Sequence, residues 1–178
     1  MVRLFIVALS LFLMLLLVAS ASETEDKDDF VFVNRGDVFT LDPGRMSWLT
    51  DMQAAYCLYE GLVRWDPKDF SIEMAAAEKV TLSDDQTTYL FELRPYAKWS
   101  NGAPVTAHDF TYAWMRLLTP DTASDYSGFL FSVKGASAFW DWRSNCIKEQ
   151  ESITLHDIQS KFEDLVSIRA LDTHRLKV

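Results

Sequence analysis

Between Thr87 and Arg116 the spacing of apolar and polar positions changes period, and the change predicts a strand, a turn and a helix in succession. Thr88, Leu90, Glu92 and Arg94 alternate with Tyr89, Phe91 and Leu93, the two-residue period of a half-buried strand. Pro95 ends that ladder. Asn101-Gly102 tolerates positive φ and places a sharp turn between Trp99 and Pro104. Thr106 then stands at a helix N-cap with Asp109 three residues on, so that hydroxyl and carboxylate satisfy orphan backbone N–H groups. Phe110, Ala113, Trp114, Leu117 and Leu118 fall at helical spacing, and Pro120 stops the helix.

The rest of the chain follows the same rules. Phe30–Asn34 reads as a short buried strand, and Leu41-Asp42-Pro43 opens a loop. Thr50 with Gln53 predicts a capping box for a helix over Asp51–Glu60, with Gly61 as its C-cap. Leu62–Trp65 is a short strand, Ile72–Ala77 a helical or irregular piece, and Val80–Leu82 a strand that Asp84-Asp85 turns back into Thr87–Arg94 as a hairpin. Thr119–Tyr126 is rich in turn residues. Ser127–Trp142 is aromatic and predicted helical, packing through Phe131, Ala138, Phe139 and Trp142. Thr154 and Asp157 cap a helix to Leu165 that carries Leu155, Ile158, Phe162 and Leu165 on one face. Val166–Leu171 and Arg175–Val178 are two strands joined at Asp172-Thr173.

At 178 residues and 49% hydrophobic content, the chain has material for a packed core, with one domain or slightly more expected. Its first residues form a separate unit. Arg3 precedes an apolar run from Leu4 to Val18, and Ala19-Ser20-Ala21 supplies the small residues of a signal-peptidase site, so residues 1–21 read as an export signal. An uncleaved anchor helix is the alternative, although the run is short for a membrane span. Residues 22–29 are an acidic leader expected to be flexible. No cysteine follows the small residues, which argues against a lipoprotein anchor. Cleavage removes only Arg3 among the charges, leaving 16 of the 17 basic residues against 26 acidic ones, a formal −10. Nucleic acid is a poor candidate partner on that balance, since phosphate binding needs a basic face and none is visible. Cys57 lies among Ala54, Ala55, Tyr56 and Leu58 and reads as a small buried thiol, unpaired with Cys146.

No enzyme constellation emerges. His108, His156 and His174 are dispersed, with no H-E-x-x-H and no serine or cysteine nucleophile pattern; His108 reads as a solvated polar residue. The Gly-rich phosphate loops of nucleotide-binding proteins are absent. The carboxylate pairs Asp28-Asp29 and Asp84-Asp85 sit in tail and turn positions. Neither a metal nor a cofactor is expected.

The segment FELRPYAKWSNGAPVTAHDFTYAWMRLL, from Phe91 to Leu118, resembles the N-terminal region of the extracytoplasmic solute-binding proteins of oligopeptide and dipeptide ABC transporters, bacterial solute-binding protein family 5. LDP at Leu41–Pro43, LYEGLVRWDP at Leu58–Pro67, TPDTASDY at Thr119–Tyr126 and LVSIRALDTHRLKV at the end occur in the family's order and rough spacing. The resemblance implies a mixed α/β fold. It is that of a partial type II periplasmic-binding protein: the start of lobe I plus the small subdomain inserted in it, over residues 30–178. It further implies a monomeric, periplasmic peptide-binding component that captures oligopeptides between two lobes and delivers them to a membrane permease.

In that family the residues after LDP, here Arg45, Met46, Ser47, Trp48 and Leu49, run along the cleft, and Tyr126 matches an aromatic that lines it. Ser47, Trp48, Leu49 and Tyr126 are therefore the candidate ligand-binding residues. Trp48 and Leu49 packing under their own loop, and Tyr126 as a core or anchoring aromatic, are the alternatives. Family members are considerably longer, so the chain is expected to be an N-terminal fragment that binds peptide weakly alone. A secreted hydrolase and a non-transport interaction module are the competing functional readings.

Overall fold

The computed structural model describes Arg35–Val178, together with Met14 and Val33. The export signal, the acidic leader and the Phe30–Asn34 strand lie outside the described residues, apart from those two positions. Arg35–Val178 forms one compact unit.

Its centre is a four-stranded antiparallel sheet. β3 (Ala77–Leu82) and β4 (Tyr89–Leu93) form the predicted hairpin, and β6 (Arg175–Lys177) pairs with the other edge of β4 and then with β5 (Arg169–Ala170). The register sets Phe91 opposite both Val80 and Leu176, and Leu176 opposite Ala170. Because side chains alternate across a strand, Phe91, Leu93, Leu176 and Ala170 share the face that joins the core, while Lys79 and Glu92 pair at 2.8 Å on the other. The core face is covered by α2 (Ala107–Leu118), α3 (Ala136–Lys148) and α4 (Leu155–Leu165). Leu118, Phe139 and Phe162 are at its heart, the last two meeting edge to face at 5.4 Å.

Both strong caps form as predicted. The Asp109 carboxylate accepts from the Thr106 N–H at 2.7 Å and hydroxyl at 2.9 Å, and Asp157 accepts from the same two groups of Thr154 at 2.9 and 2.6 Å. Asp109→Ala is expected to lower unfolding free energy by about 1 kcal/mol, measured by urea titration. The stripes are rotated slightly from expectation. Met115 is buried on α2 in place of Ala113, because α2 meets β5 and β6 on that side, while Ala138 on α3 and Leu155 on α4 face solvent.

Five local expectations are corrected. α1 spans Leu49–Leu58, with Trp48 at the N-cap and no side-chain cap bond, so Thr50 and Gln53 do not form a capping box. Gly61 is not a C-cap: Tyr59 is already extended, and the carbonyls of Gly61 and Leu62 accept instead from Ala75, Ala76 and Ala77. Those bonds continue a second hairpin, β1 (Val63–Trp65) with β2 (Ile72–Met74), where a helical or irregular piece was expected. Ser127–Trp142 is split into a 3₁₀ segment, Ser127–Ser132, and α3, with Gly135 at φ +83° between them. Cys57 is exposed and not buried, because α1 presents it to solvent; Cys146 is buried, and both thiols are free. Burial pushes the Cys146 thiol above its ordinary range.

Candidate functional site

The loop between Thr40 and α1 is built by carboxyl groups. Asp42 caps a 3₁₀ turn, Pro43–Arg45, accepting from the Gly44 N–H at 3.1 Å. Its carboxylate also receives a two-pronged bond from Arg116 on α2, Nη1 to Oδ1 at 3.1 Å and Nη2 to Oδ2 at 2.7 Å. This geometry is the strong fork arrangement of guanidinium and carboxylate. The Arg116 bond holds the Asp42 carboxyl below the usual carboxylate range, and Asp42 holds Arg116 above its own. Asp51, in the first turn of α1 and 1% exposed, accepts from the Phe39 N–H at 2.8 Å. Met46 is buried beneath the loop.

A second loop, Thr119–Tyr126, lies against the first: a methyl placed on Gly44 would come within 3.2 Å of Thr122. That loop is tied to α3 by a fork between Asp121 and Arg143. The two loops meet where the Ser47 hydroxyl donates to Asp125 and the Tyr126 hydroxyl donates to the Ser47 carbonyl at 3.4 Å. Tyr126 is half-buried and stacks on Phe129 at 5.7 Å. Of the four candidate residues, the fold thus brings Ser47 and Tyr126 into contact. Trp48 and Leu49 stand exposed at the start of α1, at 64% and 63%, so neither packs under the loop. Phe39, Asp51 and Asp125 lie beside them and were not among the candidates.

Phe39, Thr40, Arg45, Ser47, Trp48 and Asp51 line a recess of about 290 Å³. A larger hollow of about 500 Å³ lies between α2, α4 and β5, away from these loops. Its guanidinium, Arg169, donates to the carbonyls of Glu163, Val166 and Ile168 and is thereby committed to the main chain.

Residues 71–178 match the sequence pattern of the bacterial extracellular solute-binding proteins, family 5, in its middle region. The chain belongs to that family. As a family 5 protein it is one of a group of binding proteins, not of enzymes, and its mixed α/β architecture is theirs. It is 42% identical over 101 residues to the periplasmic oligopeptide-binding protein OppA of Haemophilus influenzae, a stretch covering 56% of this chain and 18% of that one. The crystal structure of Haemophilus influenzae OppA in complex with the peptide RPPGFSPFR superposes with a TM-score of 0.62 at 31% identity, covering 78% of this chain and 24% of that one. The substrate-binding domain of an oligopeptide ABC transporter from Bacillus anthracis gives a TM-score of 0.66 at 33% identity, covering 83% and 25%. The chain therefore spans about a fifth to a quarter of the length of these relatives.

Proposed function

We propose that this chain forms one wall of a peptide-binding cleft in a periplasmic solute-binding protein that delivers oligopeptides to the permease of an ABC import system. The observation that carries the reading is the contact between Ser47 and Tyr126. Two loops 79 positions apart are locked together at the positions that the family resemblance assigns to the cleft. The peptide main chain would pair, as with an added strand, with the extended backbone that leads into α1 at Met46 and Ser47, and the exposed Trp48 and Leu49 side chains would meet the ligand's own. Tyr126 offers a ring face and a hydroxyl beside it. Names and ligands of the relatives support the same ligand class and compartment.

With roughly a fifth of a relative's length, the chain supplies one side of such a cleft, and affinity is correspondingly low. Titration with trialanine followed by amide NMR is expected to shift Ser47, Trp48, Leu49 and Tyr126 together, with half-saturation in the millimolar range, on the order of 4 kcal/mol of binding. Tyr126→Ala should weaken it about tenfold. Shifts confined to other residues would overturn the site. Micromolar affinity by isothermal titration would overturn the one-wall reading.

A further inference from the structure

We infer that Phe39 and Trp48 are a specificity-determining pair, the aromatic walls of a recess that takes one aromatic side chain of a bound peptide. The inference rests on the peptide-binding reading above and adds a ligand class to it. Phe39 is 75% exposed and Trp48 64%, yet their ring centroids lie 6.1 Å apart with planes inclined by 37°. The two rings lie side by side in water on one edge of a recess whose other lining residues, Thr40, Arg45, Ser47 and Asp51, are polar or charged.

The backbone beneath both rings is held. The Phe39 N–H donates to the buried Asp51 carboxyl at 2.8 Å, and Trp48 is the N-cap of α1, its carbonyl accepting from Met52 at 3.0 Å. With the main chain held, only the side-chain rotamers remain to be ordered when a ligand enters. At about 290 Å³ it falls just below the roughly 300–1,000 Å³ of sites that hold a whole small molecule, which suits one side chain. Chemistry selects an aromatic one. A third ring gains edge or offset contacts with both walls, and Arg45 on the rim supplies a planar guanidinium that stacks on ring faces. An aliphatic side chain gains the buried area but neither of these.

The test uses the full chain labelled with 5-fluorotryptophan, with the Trp48 fluorine resonance assigned by its loss in Trp48→Phe. The probes are N-acetylphenylalaninamide, N-acetylalaninamide and trialanine. The phenylalanine probe is expected to move the Trp48 resonance at a concentration about fivefold lower than the alanine probe, the size of one aromatic pair contact. Phe39→Ala should erase that preference without shifting the melting temperature, since Phe39 is exposed. If trialanine moves the resonance but the two blocked amino acids are equivalent, or if Phe39→Ala keeps the preference, the aromatic recess is wrong while peptide binding stands. If no probe moves it, both are wrong.

Discussion

Gly135→Ala is expected to destabilise the fold by more than about 4 kcal/mol, the range reached only when a substitution meets something that cannot move. A Cβ on Gly135 would lie 1.9 Å from the Leu165 carbonyl oxygen and 2.7 Å from its carbon, both main-chain atoms at the end of α4. The residue also sits at φ +83°, which costs an L side chain about 1–2 kcal/mol by itself. Gly102 separates the two effects. It has φ +85° with nothing within 4 Å, so Gly102→Ala should show the conformational cost alone. Urea unfolding of the two variants gives the comparison. Equal losses would mean that α3 and α4 do not approach each other as closely as described. The contact matters because the Lys134 carbonyl, one residue before Gly135, accepts from Ser167 at 2.9 Å and joins the two helices' ends.

Asp121→Ala is the second large effect, and its magnitude depends on which partner of the pair is buried. The Arg143 side chain is 10% exposed and Asp121 44%, and among the described residues the Arg143 Nη1 has no hydrogen-bond partner even with Asp121 present. Deleting the carboxylate leaves a buried guanidinium without its counter-charge. Such losses reach 3–5 kcal/mol when both partners are buried, and the exposure of Asp121 reduces the expectation to about 2 kcal/mol. Arg143→Met should cost less, because it removes the buried charge together with its requirement for a partner.

The pH dependence follows from the same bond. Arg143 holds the Asp121 carboxyl below its ordinary value, so its contribution is complete above the unfolded pKa near 4. It disappears as pH falls through the lower folded value. Asp42 is shifted in the same direction by Arg116. Stability measured by thermal melting should therefore drop below about pH 4, and less steeply in Asp121→Ala. An unchanged acid slope would count against the pair.

Sequence and structure agree where the determinants are local. The Thr106–Asp109 and Thr154–Asp157 boxes, the Asn101-Gly102 turn and the β3–β4 hairpin depend on residues within a few positions of one another, and all are legible in the chain. Several misses depend on what packs beside an element, which its own residues do not show. β2 is a strand because β1 lies beside it, and Gly61 serves Ala76 in place of a helix cap. Cys57 is exposed because no part of the unit covers that side of α1. At the site, Ser47 and Tyr126 were identified by resemblance and not by periodicity, since their contact depends on the Asp42–Arg116 fork, 74 positions apart. Phe39 carried a faint signal, an apolar Val38-Phe39 pair in a polar stretch, but its placement beside Trp48 requires the Asp51 bond.

Strand order also dictates a sequence of assembly. β3 and β4 are joined by a tight turn, whereas β6 reaches β4 only after the entire helical layer has intervened, with Leu90 paired to Lys177. Closing so long a loop carries an entropic penalty that the short hairpin avoids. The local ribbon is therefore expected to form ahead of the distant strand. The amides of Tyr89 and Leu93, which donate to Val178 and His174, are then expected to be among the last of β4 sealed from solvent.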